Sequence, residues 1–264
     1  MLLHEHLENG ADKNPNFPFS EFEGNSLSYQ EANLLSNQLA NKLVSEGLEV
    51  GDRFAFLAKN CTEMAIMYYA ASKVGAVPVP LNYRLADQEW AYIINDSEAK
   101  LIIVKGNEYS DRINQISSEL KNVKKYISIS LDNSIEKFQD FYDWLSESSN
   151  EKPTLKIHEN DDVYQMYTSG TTGHPKGAVL LQRNVAANIR QYLNSLTLPR
   201  PSRTLLVAPM YHAAAMINMC GCIAIGGTIV IQEDFIPQDV VDCLANEKIT
   251  HTVLVPAMIQ ACLV

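Results

Sequence analysis

The sequence has few basic residues for its acidic content. Lys and Arg total 21 against 31 Asp and Glu, which gives a formal net charge of −10 at pH 7. This balance argues against a general nucleic-acid partner, since such proteins present a basic face. Residues 1–6 also lack the basic and long apolar regions of a secretory signal. We therefore expect a cytoplasmic protein that binds no nucleic acid.

Charge is missing altogether from Thr204 to Gln232, where no Asp, Glu, Lys or Arg occurs. A membrane-spanning helix needs about 20 continuous apolar residues. Pro209, His212 and the pair Gly226-Gly227 interrupt this segment, so it predicts strand, helix, turn and strand rather than a transmembrane span. Peripheral membrane contact is left open.

Cysteine is odd in number, with five residues in 264. Most lie in apolar surroundings, which is typical of reduced, buried thiols rather than of a disulfide framework. Cys220-Gly221-Cys222 is not followed by a second pair of metal ligands. We interpret it as small residues that pack a helix, because zinc sites need a second pair at characteristic spacing.

Strand and helix patterns alternate along most of the chain. Ser28 and Glu31 have the spacing of a capping box, at the start of a helix that ends before Gly47. The other predicted helices are 63–74, 87–94, a helix from Asn184, 213–224 and 237–246, and the predicted strands are 53–58, 76–79, 101–104, 163–167, 178–181, 205–208, 228–231 and 252–255. This alternation predicts an α/β fold with mainly parallel sheets flanked by helices.

The predicted organisation is one large domain over 1–264, divided into lobes 1–150 and 160–264. Residues 132–162 are largely polar and acidic, and we expect them to form a surface connection between the lobes.

One stretch carries the chemistry: YTSGTTGHPKG, from Tyr167 to Gly177. Its glycines permit backbone torsions that let successive amide N–H groups converge on one anion. Among them stand Gly170 and Gly173, and the hydroxyl donors and the lysine beside these glycines are Thr168, Ser169, Thr171, Thr172 and Lys176. The lysine does not directly follow a glycine and a strand comes next, so this is not the common P-loop. The composition indicates a polyphosphate cradle; the alternative is a surface turn, which uses the same residue types.

The same stretch resembles the phosphate loop of the AMP-forming acyl-CoA synthetases, the adenylate-forming superfamily. Further segments are similar to that family's motifs in the same order. They are Leu27 to Glu31, Gly75 to Leu85, Arg183 to Val185, Pro209 to His212, Gly226 to Thr228 and Val255 to Met258. The resemblance covers nearly the whole chain, with Gln182 in place of a common histidine and Ala215 in place of a frequent glycine.

The resemblance implies a reaction and a set of roles. A carboxylic acid and ATP would give an acyl adenylate and pyrophosphate, and coenzyme A would then accept the acyl group. Residues 168–173 and Lys176 would bind the phosphates, Thr172 would lie at Mg²⁺, and Lys176 and His212 would act in catalysis. The expected acid is fatty or otherwise hydrophobic, with an aromatic acid as the alternative, and homo-oligomerisation is left open.

The family's later motifs for adenine, ribose and the adenylation lysine do not occur in these 264 residues. The resemblance therefore implies an incomplete N-terminal large domain, without the family's C-terminal half and small domain. A non-catalytic nucleotide-binding or assembly module is the remaining alternative.

Overall fold

The computed structural model describes residues 1–130, 135, 137–168 and 173–263. The chain divides into two compact units that alternate along the sequence. Unit 1 comprises Met1–Leu35, Lys59–Tyr69 and Arg183–Val264, and unit 2 comprises Ser36–Ala58 and Ala70–Gln182. Each of these units combines separate stretches of the sequence, whereas the expected lobes 1–150 and 160–264 are each continuous. The division into those lobes stays a prediction.

Unit 1 is built around a five-stranded sheet with the order β12-β10-β11-β1-β2. Its strands are β1 (Pro18–Phe22), β2 (Asn25–Ser28), β10 (Arg203–Leu206), β11 (Thr228–Ile231) and β12 (His251–Thr252). Its helices are α1 (Leu3–Lys13), α7 (Gln182–Ser195, whose first residue belongs to unit 2), α8 (Ala213–Ala224), α9 (Pro237–Asn246) and α10 (Pro256–Cys262). Only the β1–β2 pairing of this sheet is antiparallel.

Unit 2 contains a fully parallel sheet with the order β4-β3-β5-β6-β7. Its strands are β3 (Arg53–Leu57), β4 (Val77–Leu81), β5 (Leu101–Lys105), β6 (Lys125–Ile129) and β7 (Phe138–Asp140). A separate antiparallel pair consists of β8 (Asp162–Thr168) and β9 (Lys176–Leu181). The helices are α4 (Asp87–Asp96), α5 (Asn107–Ile116), a 3-10 turn (Ser117–Glu119) and α6 (Phe141–Leu145).

Two further helices, α2 (Tyr29–Ser45) and α3 (Thr62–Val74), have residues in both units. The capping box that predicts the start of α2 is present: the Ser28 amide donates to Glu31 Oε2 at 2.8 Å, and the Glu31 amide donates to Ser28 Oγ at 3.2 Å. The predicted α/β class with mainly parallel sheets is confirmed.

The core of unit 2 explains why α4 lies where it does. Trp90, Ile93 and Ile94 on α4 are fully or almost fully buried against apolar residues of β3, β4 and β5. Burying such side chains stabilises the fold by roughly 1.5–3 kcal/mol each. This packing holds α4 in one place, and with it the partly buried Tyr92, which also packs against this cluster, and the exposed Asp96.

The expected surface connection over 132–162 is wrong in part. It contains β7 and α6, and Phe141, Trp144 and Leu145 of α6 are buried. Asp140 caps this helix by accepting hydrogen bonds from the amides of Tyr142 and Asp143. The polar composition concealed three apolar side chains at helical spacing.

The thiol prediction is confirmed. All five cysteines are free and four of them are buried. Burial raises the pKa of both Cys220 and Cys222 to about 12. Gly221 between them faces the Tyr192 ring, since an added Cβ would come within 2.4 Å of it. In the described part of the chain, no helix is both long and apolar enough to cross a membrane.

Candidate active site

The β8–β9 hairpin presents the ends of the predicted phosphate loop. Thr168 is the last residue of β8 and Lys176 is the first of β9, and the two pair directly across the antiparallel ladder. Both side chains are exposed. Gly173 has φ +136°, a torsion that residues with a Cβ rarely adopt. Ser169, Gly170, Thr171 and Thr172 lie outside the described residues.

A chain of hydrogen bonds runs from β3 through the hairpin to α4. Arg53 Nε donates to Gln165 Oε1 at 3.2 Å, and Gln165 Nε2 donates to the Tyr167 hydroxyl at 3.1 Å. That hydroxyl in turn donates to Asp96 Oδ2 at 2.6 Å. Because Gln165 and Tyr167 each accept one of these hydrogen bonds and donate the next, the links polarise and strengthen one another.

The tyrosine in this chain stays protonated. Burial, followed by the hydrogen bond and charge of Asp96, raises the pKa of Tyr167 well above its ordinary value. Tyr167 is therefore a hydrogen-bond donor to Asp96 at every ordinary pH, and it immediately precedes Thr168.

The residue after Gly173 is also held. The His174 ring stacks on the Tyr92 ring, with centroids 4.6 Å apart and an interplanar angle of 18°. Tyr92 lies on α4 one turn before Asp96. The two sides of the loop thus contact neighbouring positions on one helix.

Gly177 makes room for this arrangement. A Cβ at Gly177 would lie 2.3 Å from Gln165 Nε2 and 2.9 Å from Tyr167 Cζ. Atoms do not approach that closely, so a larger residue here would displace the Gln165 and Tyr167 side chains. The final glycine of the predicted loop therefore serves close packing in the hairpin.

His212 lies in unit 1 at the N-terminal end of α8, and it is exposed together with Ala213 and Ala214. The Tyr211 ring contacts it at a centroid distance of 4.3 Å. The His212 amide donates to the Pro209 carbonyl at 3.0 Å, which closes a tight turn before the helix.

Asn60 holds the turn that leads to His212. Its Nδ2 donates to the carbonyls of Ala208 and Gln232 at 3.1 Å, and its Oδ1 accepts from the Met210 amide at 2.8 Å. Asn60 is 2% exposed, so all of these bonds form away from water, where an unpaired polar group would cost several kcal/mol. This residue fixes the path of the chain into α8.

The described residues contain no group of three or more His, Cys, Asp or Glu side chains that could hold a metal ion. Asp161 and Asp162 are used otherwise: Asp161 accepts from the His158 amide at 2.7 Å and Asp162 pairs with Arg53 at 3.4 Å. The assignment of Thr172 to Mg²⁺ falls on a residue outside the described part.

The residue types alone did not identify several of these contacts. Asn60, Tyr92, Asp96 and Gln165 were not predicted as site residues. A weak signal existed for Asn60, an asparagine directly between a predicted strand and a predicted helix. No such signal existed for Tyr92 and Asp96, because α4 is 70 residues or more from the loop in sequence. Gln182, which stands where the similar family commonly has a histidine, has a local role: it is buried and its Nε2 donates to Ser72 Oγ at 2.8 Å.

Comparison with known proteins identifies the family to which this architecture corresponds. A family model described as "AMP-binding enzyme" matches residues 7–264. The long-chain-fatty-acid–CoA ligase FadD13 of Mycobacterium tuberculosis is 30% identical over 236 residues, which cover 89% of this chain and 45% of that protein. A feruloyl-CoA synthase of an Amycolatopsis species is 30% identical over 239 residues, covering 90% of this chain and 45% of that protein.

Among solved structures, the inhibitor-bound N-terminal domain of FACL13 from Mycobacterium tuberculosis superposes with a TM-score of 0.89 at 27% identity. The match covers 99% of this chain and 64% of that one. The chain spans about half the length of the curated relatives it matches.

Proposed function

Because the chain belongs to the AMP-binding enzyme family, we propose that it is the N-terminal part of an ATP-dependent acyl-CoA synthetase of the AMP-forming type. The observation that carries the proposal is the hairpin mouth, where Thr168 and Lys176 are paired and exposed beside a glycine in an unusual torsion. A hydroxyl and a compact ammonium are donors that a polyphosphate needs, and a glycine torsion of this kind lets backbone N–H groups turn towards an anion.

The proposed first step joins two anions. A carboxylate oxygen forms a bond to the α-phosphorus of ATP, the bond from that phosphorus to the bridging oxygen breaks, and pyrophosphate leaves. Repulsion between the reactants and the charge that develops on pyrophosphate are the obstacles, so catalysis rests on positioning and electrostatic stabilisation. In this proposal Lys176 neutralises part of the phosphate charge and Thr168 supplies a hydroxyl donor.

The second proposed step releases AMP. The thiol of coenzyme A loses its proton to solvent and its sulfur attacks the acyl carbon, so that the thioester bond forms, the acyl–phosphate bond breaks and AMP leaves. His212 is assigned to the acid-binding side, since it is exposed at a helix N-terminus beside two alanines that leave space. Mg²⁺ would accompany the triphosphate, which suits an ion that binds through phosphate oxygens, water and few protein ligands.

The proposed substrate is a fatty or other hydrophobic acid. The relative FadD13 is named a long-chain-fatty-acid–CoA ligase, and the feruloyl-CoA synthase at equal identity supports an aromatic acid as the second candidate. The test is ATP–pyrophosphate exchange by the full-length protein with graded fatty acids and with hydroxycinnamic acids. Exchange with one class identifies the substrate class, whereas no exchange with any acid would refute the ligase proposal.

A further inference from the structure

Tyr92 and Asp96 lie four residues apart on α4, so their side chains emerge on the same face of that helix. One of them stacks on His174, which follows the predicted loop, and the other accepts a hydrogen bond from Tyr167, which precedes it. Only six residues separate Tyr167 from His174. One helix face therefore contacts both sides of the loop.

The hairpin packs along β4 through β8, and α4 supplies further contacts at the loop end of the hairpin. A two-stranded antiparallel sheet is at best marginally stable without packing against other elements, and β9 is exposed over most of its length. The directions in which Thr168 and Lys176 point thus depend on what the hairpin contacts. The α4 helix is a firm partner, because Trp90, Ile93 and Ile94 anchor it in the core of unit 2.

We propose that Tyr92 and Asp96 are positioning residues for phosphate binding: together they hold Tyr167 and His174, and so fix where Thr168 and Lys176 present their donors. This inference rests on the proposed function, since it assumes that the loop binds a polyphosphate. Neither residue needs to touch the ligand. By holding the two ends of the loop before the ligand arrives, they reduce the conformational entropy that the loop loses when the polyphosphate binds. Affinity rises although no contact with the ligand is added.

The probe is inorganic tripolyphosphate with Mg²⁺, titrated calorimetrically into the full-length protein, because it reports on the loop without adenine or an acid. Tyr167→Phe removes the hydroxyl that Asp96 accepts, and Asp96→Asn removes the charge of the acceptor. We expect each to weaken tripolyphosphate binding by about fivefold, the size of one lost hydrogen bond.

The stacking contact has its own pair of variants. Tyr92→Leu keeps an apolar side chain but removes the flat ring and the hydroxyl that donates to Asp96 Oδ1 at 3.5 Å. We expect it to weaken binding by a few fold, the scale of a lost ring–ring contact. Tyr92→Phe keeps the ring and should restore most of that affinity. The positioning role predicts that the two variants differ in tripolyphosphate affinity but have similar unfolding midpoints in urea. If Tyr92 served stability alone, any difference in affinity would be accompanied by a difference in unfolding midpoint.

Matched controls use the same helix and the same core. Asp87→Asn removes a carboxylate from the other end of α4, where Asp87 pairs with Arg112 at 2.7 Å. Tyr126→Phe removes a hydroxyl whose hydrogen bond to the Ser117 carbonyl is 3.4 Å long, in the same apolar cluster. Both should bind tripolyphosphate as the unaltered chain does.

The outcomes distinguish this inference from the function it rests on. If Lys176→Ala abolishes binding while Tyr167→Phe and Asp96→Asn bind normally, the positioning role is wrong and the phosphate cradle stands. If the unaltered chain does not bind tripolyphosphate, or if Lys176→Ala binds as well as it does, the cradle is wrong and the positioning role falls with it. Equal losses in the Asp87→Asn and Asp96→Asn variants would also overturn the positioning role.

Discussion

Replacing Lys176 with alanine is the sharpest perturbation of the proposed site. The side chain is exposed at the start of β9, and its ammonium forms no ion pair with any residue in the described part of the chain. Exposed substitutions of this kind usually change stability by no more than about 0.5 kcal/mol. Pairing of Thr168 with residue 176 uses backbone groups and survives the change. An effect on activity would therefore come from the lost charge.

The expected magnitude follows from the chemistry of the loss. Lys176→Ala removes one positive charge and three donors, and charge-assisted contacts are about twice as strong as neutral ones. Loss of one electrostatic donor at a developing charge costs about 3 kcal/mol, or roughly a hundredfold in rate. In the full-length protein, adenylation should slow by that factor, while binding of the carboxylic acid should change far less.

The assay separates the two half-reactions. ATP–pyrophosphate exchange reports adenylation, and transfer from preformed acyl adenylate to coenzyme A reports thioester formation. Only the first requires pyrophosphate to be bound, so thioester formation should be much less affected in Lys176→Ala. Lys124→Ala is the matched control, because Lys124 is an exposed lysine of the same unit that precedes β6. It should leave both half-reactions unchanged.

If the hairpin end is only a surface turn, Lys176→Ala changes adenylation by less than about twofold, as exposed substitutions do. An equal slowing of both half-reactions would assign Lys176 to something other than the phosphates. In either case the proposed cradle would have to be abandoned.

Two further predictions follow from the sequence and the sheet of unit 1. The isolated 264-residue chain should catalyse no ATP–pyrophosphate exchange, because it lacks the family's adenine, ribose and lysine motifs and positioning supplies much of such catalysis; exchange by the pure chain would contradict this. Arg203 donates to both oxygens of Glu21 at 2.7 and 2.8 Å, and this hydrogen bonding lowers the pKa of Glu21 below its usual 4.5. A lowered pKa stabilises the folded state above pH 4.5, and that contribution disappears as the pH falls through the folded-state pKa. Glu21→Gln should therefore reduce the free energy of unfolding by about 1 kcal/mol at pH 7, a value limited by solvent screening. In urea titrations at increasingly acidic pH, the difference in stability between the variant and the unaltered protein should become smaller. A difference that does not change with pH would show that the Arg203–Glu21 pair is not responsible.

The short-range part of the fold could be predicted from the sequence. The helices α8 and α9 and the strand β11 have the bounds that periodicity predicts, and the Ser28–Glu31 capping box forms as spacing requires. These features depend on residues within a few positions of one another, where periodicity and capping act. The α6 helix was missed because its apolar side chains lie in a polar stretch and are buried by distant residues.

The candidate site divides in the same way. The sequence by itself determined the residue types of the loop, and hence the anion chemistry of Thr168 and Lys176, because hydroxyls, glycines and a lysine are informative wherever they fold. Only the tertiary structure decided that Asp96 accepts from Tyr167 and that Tyr92 stacks on His174. These partners are at least 70 positions apart in sequence, and nothing local specifies which helix face a hairpin will meet. The contact is decided by burial of the α4 apolar face in the core and by packing of the hairpin along β4, which together bring the hairpin to Tyr92 and Asp96.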